Sequence, residues 1–235
     1  MTASNTVSLP VARRVLPLPL AAAMCCIALT ALGPNARAAS TSLADNLTAP
    51  FENSVGITDV NWIAQGFATT SDAYVLTSIT VPLAQNAVTS GTLGLYVFDA
   101  TGVNGRPGSQ VGGEIGTIDY SLLPTADNFG AITFDGGTSL EKTLAPSSNY
   151  FLVMKGLGVT GGHFQWVYTS SDTGVGFPSA YTFSDDGGAT WNLPDYTLPQ
   201  KMRIEASVVP EPSSTALVLA GLACGVPHLR WRRSK

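Results

Sequence analysis

The residues of this chain that could do chemistry are few, and their spacing is informative. Ser184-Asp185-Asp186-Gly187-Gly188-Ala189-Thr190-Trp191 sets a carboxylate, two hydroxyls, two glycines and an indole within eight residues. The physical reading is a hairpin turn. The Asp186 carboxylate accepts N–H bonds across it, Gly188 supplies positive φ and Trp191 packs beneath. His163 is the one histidine between residues 39 and 209, so a triad would have to use it, yet no Gly-x-Ser-x-Gly elbow accompanies it. A multi-histidine metal site is excluded there, and no run matches an EF-hand loop. A loop calcium site at Asp185 and Asp186 is the remaining metal reading. Asp119, Asp127 and Glu141 are candidates for a glycosidase carboxylate pair, with solvated surface as the simpler reading. Trp62, Trp166, Trp191 and Tyr96 would stack on sugars if exposed, and pack in a core if not. Trp62 and Trp166 are the candidate glycan contacts. No catalytic residue, cofactor or metal is assigned.

Composition narrows the field. Between Ala39 and Val209 the chain carries 15 Asp and Glu against 5 Lys and Arg, a net charge of −10. Such a body repels a phosphate backbone, so nucleic acid is excluded as a partner. The three cysteines, Cys25, Cys26 and Cys224, all lie in apolar terminal segments. The body between them has no thiol, hence no disulfide scaffold, cysteine zinc site or cysteine nucleophile.

The elements that must position these groups read as strands. Charged residues make up 12% of the chain, about half the usual ~25% of a soluble domain, and 24 glycines and 15 prolines punctuate it. Ile79, Val81 and Leu83 alternate with Ser78, Thr80 and Pro82, with Thr77 placed on the Ile79 face and Leu76 on the other. Leu93, Leu95 and Val97 alternate with Gly94, Tyr96 and Phe98. Phe164, Trp166 and Tyr168 alternate with His163, Gln165 and Val167. Met202, Ile204, Ala206 and Val208 alternate with Lys201, Arg203, Glu205 and Ser207. Period-two patterning puts one face in a core and one in water. Residues 149–154 are apolar on both faces, as a central strand requires. Turn residues fill 102–108, 135–137 and 185–188, and no amphipathic helix of ten residues appears. The expectation is an all-β, antiparallel sandwich or jelly roll forming a single domain over residues 39–208.

The two ends read as addresses. Arg13 and Arg14 precede an apolar stretch from Val15 to Leu32, and Ala36-Arg37-Ala38 forms a small-residue cleavage site before Ala39. Together they describe a secretory signal peptide over residues 1–38, handled by the secretion translocon and signal peptidase. At the other end, residues 209–235 hold Pro210-Glu211-Pro212, an apolar run from Thr215 to Leu229, and Arg230, Arg232, Arg233 and Lys235. The prolines stop the preceding element. The apolar run inserts as a helix of about 22 Å, short of the roughly 30 Å hydrocarbon core. The basic cluster stays cytoplasmic.

This tail closely resembles the PEP-CTERM sorting signal of Gram-negative bacteria. The resemblance implies recognition by an exosortase, a membrane cysteine protease–transpeptidase, with processing near Pro210-Glu211-Pro212. Pro227-His228 departs from the pattern by breaking the apolar helix near its end. The body resembles choice-of-anchor domains, especially type R, at residues 62–67, 94–98, 106–108, 144–146 with 150–153, and 184–191. The last of these also fits the Asp-box pattern found in sialidases and many unrelated β proteins. A sialidase would bind its substrate carboxylate through three arginines, and the body has only Arg106 and Arg203. The resemblances imply a protein placed at the cell surface or in an extracellular polysaccharide matrix, with a structural or interaction role. A surface carbohydrate-binding module and a carboxylate-dependent glycoside hydrolase are the alternatives.

Overall fold

A computed structural model describes residues 40–126, 128–135, 140, 142–171, 173–176, 180–193 and 197–209. The sequence-predicted signal cleavage residues Ala36, Ala38 and Ala39 lie outside the described residues. So do the tail residues Pro210, Glu211, Pro212, Arg230, Arg232 and Arg233.

Two antiparallel sheets account for the described strands. In the first, β1 (Ser40–Asp45), β12 (Arg203–Val208), β4 (Tyr74–Asn86), β10 (His163–Tyr168) and β2 (Asn53–Ile57) lie in that order. β7 (Gly130–Asp135) and β8 (Thr143–Leu144) also pair with β4. In the second the order is β11 (Tyr181–Ser184), β3 (Trp62–Ala68), β9 (Asn149–Thr160), β5 (Ser90–Asp99) and β6 (Gly116–Asp119). The sandwich expectation holds at this level. Among the described residues the only helical turns are two three-residue 3₁₀ segments, at 103–105 and 120–122. No helix there is long and apolar enough to cross a membrane.

The core forms where the inward rows of both sheets meet. Ile79, Val81 and Leu83 from β4, Phe164 and Trp166 from β10 and Ile204 and Ala206 from β12 pack against Ile63, Leu93, Leu95, Leu152 and Met154. Each is at most 1% exposed. Strict alternation explains this because successive side chains leave opposite faces of a strand. The segment with two apolar faces, 149–154, is the central strand of the second sheet, β9.

One alternation is corrected. Leu76, read as sharing a face with Ser78, is 2% exposed and joins Ile79 in the core, while Thr77 is only partly buried. The register shows why. Glu205 pairs with Ser78 but Ala206 pairs with Leu76, leaving Thr77 unmatched. An extra residue in one strand of a pair reverses the facing of everything before it.

Gln65 and Gln200, both fully buried, interrupt the apolar interior. Gln200 N–H donates to Gln65 Oε1 at 2.6 Å. Nearby, Met202 N–H donates to Asn46 Oδ1 at 2.7 Å, and Asn46 Nδ2 returns a bond to the Gln200 carbonyl at 3.2 Å. These side chains satisfy backbone groups where the chain enters β12, which burial demands.

Candidate functional site

The turn at 184–191 forms as its residue types dictate. Asp186 Oδ1 accepts from Ser184 Oγ at 2.7 Å and from Thr190 N–H at 2.8 Å, and Oδ2 accepts from Thr190 Oγ1 at 2.6 Å. Ser184 Oγ accepts from Gly188 N–H at 2.8 Å. Hydrogen bonds from the Thr190 side chain and backbone, then from Ser184, hold the Asp186 carboxyl down at about 2. Gly187 and Gly188 have φ of 69° and 87°. Gly188 is required twice over, because a Cβ there would overlap the Trp62 ring. The return limb is not a regular strand. Asn192 N–H donates to Phe183 O at 2.9 Å, and Thr182 Oγ1 donates to Asn192 O at 2.7 Å. That is enough to set Trp191, 8% exposed, against the sheet.

The turn serves a second apolar layer on the outer face of the five-stranded sheet. Ala64, Tyr96, Phe151, Val153 and Trp191 form a cluster separate from the main core, with Trp62 and Phe98 packed against it. Strand register builds this layer. Tyr96 pairs with Val153, Phe98 with Phe151 and Gly94 with Lys155, while Ala64 pairs with Val153 from the other side. The outward rows of β3, β5 and β9 are therefore apolar, unlike the usual wet face.

Lys155 sits within this layer at 9% exposure. Its Nζ lies over three rings: Tyr96 at 4.1 Å, Trp62 at 4.3 Å and Phe98 at 4.7 Å from the centroids. All are within the roughly 6 Å reach of a cation–π contact. Gly94 makes this possible. A Cβ there would come 2.8 Å from Tyr96 Cε2, so the Tyr96 ring lies back over Gly94 and reaches Lys155. The Tyr96 hydroxyl donates to Glu114 Oε2 at 2.7 Å. Burial, that hydrogen bond and the Glu114 charge push the Tyr96 phenol up to about 12. Burial pushes the Lys155 ammonium below the usual lysine range, and the Glu114 charge opposes this.

The other sequence-predicted residues are placed as follows. Trp166 is a correction. It is fully buried between the sheets and its Nε1–H donates to Lys201 O at 2.8 Å, so it presents no face to a glycan. Trp62 is partly exposed, but the face under Lys155 is taken and its Nε1–H is spent on Asp59 O at 2.9 Å. His163 is partly buried, its ring against Gly56. Asp119 accepts from Ser121 N–H and Oγ at 2.9 and 2.6 Å, capping the 3₁₀ turn that follows. Asp127 and Glu141 lie outside the described residues. Among the described residues no three His, Cys, Asp or Glu side chains come together as a metal site. A cleft of about 250 Å³ at one end of the second sheet is lined by Asp99, Thr101, Ser148, Asn149 and Tyr150. Asp99 there is committed to Thr101 and Ser109.

Sequence reasoning missed Lys155. The available signal was a lone cation after five apolar residues in a central strand.

No family model matches the chain, and no curated protein matches it. Among solved structures, one described as the structure of infectious bursal disease virus Gt strain aligns at 10% identity and a TM-score of 0.21. The alignment covers 75% of this chain and 41% of that one, a likeness too slight to carry an argument.

Proposed function

We propose that this is an exported protein of a Gram-negative bacterium, with a jelly-roll-like ectodomain that plays a structural or interaction role at the cell surface or in an extracellular polysaccharide matrix. In this reading the translocon and signal peptidase remove residues 1–38. An exosortase then recognises the membrane-inserted tail and processes it near Pro210-Glu211-Pro212.

One observation carries the reading: Pro-Glu-Pro, an apolar run and an arginine cluster follow one another in order over residues 210–235. Three further features support it. The cysteines are confined to the terminal segments. The segments on which we base a resemblance to choice-of-anchor domains include residues of β3, β5, β9 and the turn after β11. The sharpest polar motif, around Asp186, spends its carboxylate on its own turn. A glycan-binding module is less well supported, because Trp166 and Trp191 are buried.

Deleting residues 210–235 tests the reading in the native host. The body should leave the envelope fraction for the medium, and mass spectrometry of the native protein should find both ends trimmed. An unchanged location after the deletion, or a full-length chain in the cytosol, overturns it.

A further inference from the structure

We propose that the outer face of the five-stranded sheet is a recognition site for N-methylated ammonium groups, which Lys155 occupies as a built-in competitor. Three aromatic faces on three positions, Trp62, Tyr96 and Phe98, converge on one point 4.1 to 4.7 Å away. Aromatic faces around a cation are the standard means of recognising quaternary ammonium groups. The walls are held before any ligand arrives. Tyr96 is fixed over Gly94 and by its bond to Glu114, and Trp62 by Gly188 and by its bond to Asp59 O. Preorganisation of this kind lowers the cost of binding.

The present occupant fits the cage poorly. A lysine ammonium has three N–H donors. Among the described residues Lys155 Nζ forms no hydrogen bond or ion pair, only ring contacts. Ring contacts replace part of the water those donors would otherwise bind, at a cost in free energy. A quaternary ammonium has no such donors, so rings replace its water at a smaller cost. Lys155 retains 9% exposure, so the cage opens to solvent. Glu114, exposed and bonded to Tyr96, adds negative charge at its edge, and the body charge of −10 favours approach of organic cations. Because Lys155 is tethered, an outside cation must compete with it, and removing the tether should raise affinity.

The inference does not rest on the export reading, since its test is made on purified full-length chain. Tetramethylammonium and choline chlorides are titrated against sodium chloride at matched ionic strength, with indole fluorescence as the readout. Lys155→Ala should bind both organic cations at least about tenfold more tightly than the native chain. Adding Trp62→Ala to Lys155→Ala should abolish binding. Proton NMR of the native chain gives a second measurement independent of any variant. The Lys155 ε-methylene protons, shifted by the rings, should move toward free-lysine positions with tetramethylammonium and not with sodium. The proposal fails if Lys155→Ala binds no better than the native chain, if sodium competes equally, or if the ε-methylene signals stay in place to about 100 mM, a range covering millimolar affinities.

Discussion

Trp166 and Trp62 lie in different sheets and are held in place by different physics. Trp166 is sealed between the sheets among Leu83, Phe164 and Met202, its one polar atom satisfied by Lys201 O. Trp62 lies on the outside of the second sheet, covered by Gly188 and a lysine ammonium. The inner layer is buried and close-packed, so changes of side-chain volume there are costly. The outer layer is half-open, and a charged group takes the place a core residue would fill. Among the described residues, this apolar outer face is covered by a turn and a cation rather than by a further layer of strands.

Several variants would break or sharpen that contrast. Trp166→Ala should be the most damaging, costing about 3–5 kcal/mol through an inner cavity and an unpaired carbonyl, as read by urea denaturation. Gly188→Ala should come next, at roughly 2–3 kcal/mol, because it adds overlap with Trp62 to the strain of positive φ. Gly105→Ala is its control. Gly105 has φ of 72° but open space around it, so about 1 kcal/mol of backbone strain alone is expected. Equal costs at the two glycines would mean that Trp62 is not held by the turn. Lys155→Met, keeping length while removing charge and donors, should change stability by less than about 1 kcal/mol. A large loss there would show that the ammonium, not its stem, holds the outer layer together.

The smallest effects are in pH dependence. Tyr96 should titrate near 12 by ultraviolet absorbance, and Glu114→Gln should lower that midpoint. Its folded value exceeds the ordinary value of about 10, so its contribution to stability is complete below pH 10 and fades as pH rises toward 12. Asp186 runs the other way. Its carboxyl lies near 2, below the ordinary ~3.9, so the turn's contribution is present above pH 4 and fades between about pH 4 and 2. Asp186→Asn should remove that acid dependence.

Much of the architecture was legible locally. Alternation in residues 202–208, 93–98 and 163–168 placed inner faces because a strand's side chains obey a two-residue period wherever one face is buried. The doubly apolar stretch at 149–154 marked the central strand for the same reason. The Asp186 turn was legible because its donors and acceptor lie within seven residues of one another. Leu76 was not, since the bulge at Thr77 exists only in pairing with Ala206.

By itself the sequence determined the all-β class, the identity of the central strand, the geometry of the Asp186 turn, the thiol-free body and its net charge. Each of these depends on composition or on residues close together in the chain. Tertiary structure alone decided which tryptophan is sealed and which is half-open, and where Lys155 rests. Trp62, Tyr96, Phe98 and Lys155 come from three strands far apart in sequence. Their meeting is set by the register of β3, β9 and β5, and register is a property of paired strands that no single strand carries.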